Sequence, residues 1–229
     1  MRVKGRRATR TWVALGIVVA GPVGSACERG QDDGGPRPTA ATTEAAVGPA
    51  APTAPVGYRL HVDREDGFQI AVPEPWQEVP LDPSALDEAA RSNPGLANMV
   101  DQARAALNQG GLFLAGDPRP TTGFSPRVNL IRLDAPGISL EAIEPTMKAQ
   151  LELAGATEVS TDRRSTPAGP AVRGRYTVRV NTPAGVPVTA RGAQYFVVAG
   201  GTGYVLTVTA GDAAGLAGLD PIAASFNLL

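Results

Sequence analysis

Val172-Arg173-Gly174-Arg175-Tyr176-Thr177-Val178-Arg179-Val180 alternates apolar or small residues with basic and hydroxylic ones at a period of two. That is the period of a β-strand, with one face expected in a core and the other in water. Pro/Gly turns stand at Pro167-Ala168-Gly169, Pro183-Ala184-Gly185 and Gly200-Gly201-Thr202. They cut the carboxyl half into the strands Glu158 to Arg163, Ala171 to Val180, Val186 to Val198 and Gly203 to Ala210. Strands joined by such short turns run antiparallel. Asp220-Pro221 then opens a last short helix whose Ile222 and Phe226 can pack on the sheet.

Upstream the pattern mixes both periods. Tyr58-Arg59-Leu60-His61-Val62, the turn Asp63 to Gly67, and Phe68-Gln69-Ile70-Ala71-Val72 read as a hairpin, ended by Pro73-Glu74-Pro75 before Trp76, which caps the core. Asp82-Pro83 is an N-cap followed by proline, starting a helix through Leu86, Ala89 and Ala90. Asn93-Pro94-Gly95 interrupts it, and Leu96, Met99, Val100, Ala103 and Leu107 continue at helical spacing until Gly110-Gly111. Leu112 to Ala115 and Val128 to Leu133 read as strands. Leu140, Ile143, Met147 and Leu151 predict a helix capped by Ser139 and ended by Gly155, with Pro145 expected to break its first turn. The sum is an α+β domain over residues 58–229, an antiparallel sheet with helices packed against it.

The amino terminus has a different character. Arg2, Lys4, Arg6, Arg7 and Arg10 precede the apolar run Trp12 to Ala20, closed by Gly21-Pro22. The run is about half the roughly 20 residues a permanent membrane helix needs, so residues 1–26 read as a cleaved signal peptide, exported by the general secretion route. Gly24-Ser25-Ala26 leads into Cys27, the single cysteine. This resembles the lipobox of bacterial lipoproteins, with Gly24 where an aliphatic residue is usual. The resemblance implies cleavage between Ala26 and Cys27 and a diacylglycerol thioether on Cys27, which then carries the acylated, palmitate-type anchor. Ordinary signal cleavage after Ala26 is the alternative, giving a secreted, non-lipidated protein. Lipidation accounts for the thiol, since a soluble product would expose an unpaired cysteine at its tip. Residues 27–57 are rich in Ala, Pro, Thr and Gly without apolar periodicity, and read as a disordered tether.

Composition excludes several classes. The 229-residue chain is 43 % apolar, ordinary for a globular core. Removing residues 1–26 leaves sixteen basic against twenty-two acidic residues, a balance unsuited to nucleic acid. One cysteine and one histidine, His61, leave neither a disulfide nor the usual ligands of zinc, copper or haem. No cofactor is expected.

Asp66-Gly67-Phe68-Gln69-Ile70-Ala71-Val72-Pro73-Glu74-Pro75-Trp76 has the form Gly-Phe-x-Ile-x-x-Pro followed by Trp, and resembles the opening of Mog1/PsbP-like domains. The hairpin Gln194 to Thr209 and the terminal Ala223-Ala224-Ser225-Phe226 resemble the close of that fold. Lipobox, tether and domain together are similar to the LpqN-type lipoproteins of actinobacteria. The resemblance implies an α/β/α sandwich and a non-enzymatic binding or accessory role at the cell envelope, facing lipids, glycolipids or protein partners. A binding module of that kind is expected to hold an apolar groove between helices and sheet.

Gly123-Phe124-Ser125-Pro126-Arg127 approximates an esterase elbow, and a hydrolase would need Ser125 with His61. Glu141, Glu144, Glu152 and Glu158 are the carboxylates that acid/base hydrolysis would draw on. Gly200-Gly201-Thr202-Gly203 leads into a strand, so it reads as a hairpin turn and not a phosphate loop. Arg173, Arg175, Arg179 and, across the hairpin, Arg191 form the candidate anion-binding face; a solvated outer face is the alternative.

Overall fold

A computed structural model of the chain describes residues 54–92, 97–119, 124–181 and 186–229. The lipobox, Ala26, Cys27 and the tether up to residue 53 lie outside them. In chain order the elements are β1 (Tyr58–Asp63), β2 (Phe68–Pro73), β3 (Gln77–Glu78), α1 (Pro83–Ser92), α2 (Ala97–Leu107), β4 (Gly111–Gly116), β5 (Arg127–Asp134) and α3 (Leu140–Leu153). There follow β6 (Thr157–Thr166), β7 (Gly169–Asn181), β8 (Pro187–Ala199), β9 (Thr202–Ala210), α4 (Ala213–Gly218), α5 (Asp220–Ser225) and β10 (Asn227–Leu228). Within the described residues the strands make two antiparallel sheets, ordered β3-β4-β5-β9-β8-β7-β6 and β1-β2-β10.

Alternation along the strands divides the large sheet into two buried faces. Phe113, Val128, Leu130, Ala193, Tyr195, Leu206 and Val208 point toward the small sheet, where Phe68, Ile70, Val72 and Trp76 meet them together with Ile222 and Phe226 of the carboxyl end. Ile131, Val172, Tyr176, Phe196 and Val205 point the other way, under Ile143, Met147 and Leu151 of α3. Leu86, Met99 and Ala103 of α1 and α2 close over Leu114 of β4. Burial of these apolar side chains, at roughly 25 cal/mol per Å², is the main force holding the three layers together. The α+β sheet-and-helix architecture expected from the sequence is therefore present, with a difference in one layer. Beside the large sheet, opposite α1, α2 and α3, stands a three-stranded sheet with two short helices.

Two local expectations need correction. The supposedly wet face of β7 lies under the small-sheet layer for part of its length, so Arg173 is buried. Pro145 does not break α3, which runs unbroken to Leu153. Proline costs one backbone bond there, while Ile143, Met147 and Leu151 keep the helix on the sheet by burial. The sequence reading also passed over β3, α4 and β10. The helix α4 is mostly Ala and Gly with no apolar stripe; what starts it is Asp212, whose carboxylate accepts from the Gly215 N–H at 2.6 Å.

Other local signals act as read. Asp82 accepts from the N–H groups of Ser84 and Ala85 at 3.0 and 2.9 Å, capping α1, and Ser139 accepts from Ala142 at 3.3 Å. Gly200 and Gly201, with φ of 59° and 81°, make the tight turn between β8 and β9.

Candidate functional site

The helices cover the large sheet at its two sides and leave a gap between them. On one side α2 seats Met99 and Ala103 beside Leu114 of β4. On the other, α3 sits down on Gly174 of β7, where a Cβ would stand 2.7 Å from Met147 Sδ and 2.9 Å from Leu151 Cδ1. Between them the centre of the sheet floors a groove of about 190 Å³.

Strand periodicity decides what faces that groove. On β5 the helix-side positions are Arg127, Asn129 and Ile131; on β9 they include Thr207 and Thr209. A polar row crosses four strands: Tyr176 of β7 is paired with Gly192 of β8, Gly192 with Thr209 of β9, and Thr209 with Arg127 of β5. Gly192 makes the row possible, because a Cβ there would lie 2.5 Å from the Tyr176 hydroxyl. The tyrosine ring therefore lies flat across β8 and bonds with Thr209. In the next row Gln194, fully buried, donates from Nε2 to Thr207 Oγ1 at 3.2 Å, and its Oε1 has no partner among the described residues. Ala105 and Ala106 of α2, with Val178 and Val180 of β7, form apolar walls; Asp101 and Gln102 stand at the rim. The expected groove between helices and sheet is thus present, apolar at its sides and polar on its floor.

Arg127 is the charged group of the floor. It donates to the Ser125 carbonyl at 3.3 Å and lies 4.8 Å from the centre of the Phe124 ring. Burial pushes its pKa down to about 10, partly countered by Tyr176, so it is still a cation at neutral pH. Burial conversely raises the Tyr176 phenol, with Arg127 and Thr209 pulling the other way.

The sequence candidates fare differently. Arg173 and Arg191 are committed to carboxylates: Arg173 makes two bonds to Asp162, at 2.9 and 2.7 Å, and Arg191 reaches Glu158 at 3.0 Å. Arg175 and Arg179 are exposed on the same strand face, and Arg175 joins Arg191 in a second hollow beside α4. The four arginines do lie along one face of the β7–β8 hairpin, but two of them are already neutralised. Ser125 and His61 sit on opposite sides of the large sheet. Ser125 donates to the Asp117 carbonyl and touches Met99 under α2, while His61 packs on Phe68 and Phe113 and pairs with Glu78 at 3.2 Å. They do not form a nucleophile and base. Glu141 and Glu144 both hold Arg163, at 2.9 and 3.4 Å. Backbone and Ser139 bonds and Arg163 hold Glu141 below the usual range, as Thr177 and Arg191 do for Glu158, the reverse of what a general acid requires.

Arg127 and its polar row escaped the sequence reading, which began the strand at Val128. The available signal is the alternation at the start of β5, where Arg127 and Asn129 share one face while Val128 and Leu130 take the other.

Sheet, helices and groove define an α+β domain with a recess on the helix side of the large sheet. No family profile and no curated protein matches the chain. Among solved structures it is similar to cyanobacterial PsbP (CyanoP) from Synechocystis sp. PCC 6803, at TM-score 0.45 and 13 % identity, over 80 % of this chain and 100 % of that one. It is likewise similar to LpqN of Mycobacterium tuberculosis, described as involved in cell envelope biogenesis, at TM-score 0.44 and 12 % identity over 75 % of this chain and 91 % of the other. The Ran-binding protein Mog1p of Saccharomyces cerevisiae matches at TM-score 0.44 and 12 % identity, over 75 % and 95 %. These are the kinds of protein whose domains the sequence resembled, and the likeness concerns fold alone.

Proposed function

We propose that this chain is an exported envelope protein, fastened to the outer face of the cytoplasmic membrane by acyl chains on Cys27, whose domain binds an envelope lipid, glycolipid or protein partner without performing chemistry on it. The observation that carries the binding role is the groove between α2 and the sheet centre, with apolar walls and a polar floor of Arg127, Asn129, Thr207 and Thr209. The separation of Ser125 from His61 by the thickness of the sheet supports a non-catalytic reading. In this reading two acyl chains on Cys27 hold the chain to the bilayer.

Two measurements test it together. In cells fed an alkyne palmitate analogue, the wild-type chain should be labelled and sediment with membranes, and Cys27→Ala should be unlabelled and released. Gentle purification followed by native mass spectrometry and lipid extraction should find a retained small molecule, or crosslinking in cells a defined partner. An unlabelled, freely soluble wild-type chain would end the anchor; an empty groove with no partner captured would end the binding role.

A further inference from the structure

We propose that the groove is a monocarboxylate site, in which Arg127 binds the anionic end of an amphiphile whose short apolar body lies between α2 and Val178; this rests on the groove being the binding site. The first ground is a contrast among arginines. Of the described arginines withdrawn from full exposure, Arg59 is paired with Glu78, Arg173 with Asp162 and Arg191 with Glu158. Arg127 has no carboxylate partner among the described residues. A guanidinium carries five N–H donors in a planar fork, and Ser125 takes one of them in a long bond. A partly desolvated cation without a counter-ion is costly to the fold unless something else supplies the charge.

The neighbours say what kind of charge. Tyr176, Thr209, Thr207 and Asn129 surround Arg127 with neutral polar groups, and among the described residues no second cation lines the groove. Gln194 Nε2 occupies a lone pair of the Thr207 hydroxyl, which leaves that hydroxyl's proton free for a ligand oxygen. One cation with neutral donors matches one negative charge, and a planar carboxylate fits the guanidinium fork bidentately. A phosphate dianion would bring a second negative charge with no second cation among the described lining residues to meet it. The groove's size sets the body: about 190 Å³ exceeds the ~150 Å³ cavity that holds benzene, giving room for roughly six to eight carbons beside Ala105, Ala106 and Val178.

The test uses the exported chain with Cys27→Ser, so that no acyl group of its own competes, titrated calorimetrically with octanoate, octanol, octylamine and octyl phosphate. Octanoate should bind at least tenfold more tightly than octanol, with octylamine weakest. Arg127→Met, which keeps the aliphatic stem, should bring octanoate down to the octanol level, and Ala105→Phe, which fills the groove from α2, should abolish binding of both. Should Arg127→Met fail to fold, the octanoate-to-octanol ratio in the parent chain and the Ala105→Phe result decide. Equal binding of octanoate and octanol, unchanged octanoate affinity in Arg127→Met, or tighter binding of octyl phosphate would each overturn the proposal. If octanol binds and Ala105→Phe removes it, the groove keeps its binding role even so; if no probe binds and nothing is retained from the native envelope, both readings fall.

Discussion

Replacing Asp162 by alanine would remove the carboxylate that Arg173 grips through two bonds, at 2.9 and 2.7 Å. The arginine is 7 % exposed and the Asp162 side chain 39 % exposed, so the perturbation falls between two regimes. Breaking a fully buried pair costs about 3–5 kcal/mol because a bare charge is left behind. An exposed pair contributes only about 0.2–1 kcal/mol. With the cation buried and the anion partly screened, about 2 kcal/mol is expected. At a urea m-value of about 2–3 kcal/mol/M, the unfolding midpoint should fall by roughly 0.7–1 M. The bond from Arg173 and its charge hold the Asp162 carboxyl below the usual range, as Arg164 also does. A lowered carboxylate pKa gives stability that is complete above the unfolded value near 3.9 and disappears as pH falls through the folded value. The gap between wild type and Asp162→Ala should therefore be constant near neutrality and close below about pH 4. Urea titrations of Asp162→Ala, Arg173→Met and the double variant at pH 7 and pH 3.5 form the assay. Arg173→Met should cost much less than Asp162→Ala, and the double variant should match Arg173→Met. A loss under about 0.5 kcal/mol for Asp162→Ala, or purely additive variants, would refute the view that this pair neutralises a buried cation and leave Arg173 free for the anion face.

Gly192→Val should destabilise the domain by about 1–3 kcal/mol, since its side chain would enter the space of the Tyr176 ring; a urea midpoint unchanged from wild type would show that the ring does not lie across β8. Met147→Ala removes a side chain that is 1 % exposed between α3 and Gly174 and should cost about 2–4 kcal/mol in thermal or urea unfolding. A value below about 1 kcal/mol would mean that α3 is not seated on the large sheet.

The strands, helices and turns could be read in the sequence because each is signalled locally. Period-two runs give β7, β8 and β9; an Asp-Pro pair and Ser139 start α1 and α3; Gly200 and Gly201 supply the positive φ that their turn demands. The proposed export and lipid attachment at Cys27 rest on the same kind of local signal, since a short basic-apolar run before a cysteine is an address carried by contiguous residues. Where local signal was thin the reading failed, as in α4 with its glycines, or misjudged the outcome, as at Pro145, where the apolar face of α3 outweighs one lost bond. What no stretch of sequence contains is which arginine finds a carboxylate. Arg173, Arg175, Arg179 and Arg191 look alike on alternating strands, yet Arg173 is buried against Asp162 and Arg191 meets Glu158, because β6 pairs beside β7. Arg127, an ordinary residue after a proline, comes to lie on the groove floor without a carboxylate among the described residues because β5 lies next to β9 in the sheet's centre, in the gap that α2 and α3 leave open. Secondary structure follows from neighbours along the chain; charge pairing and the groove depend on neighbours across strands, and only the tertiary fold assigns those.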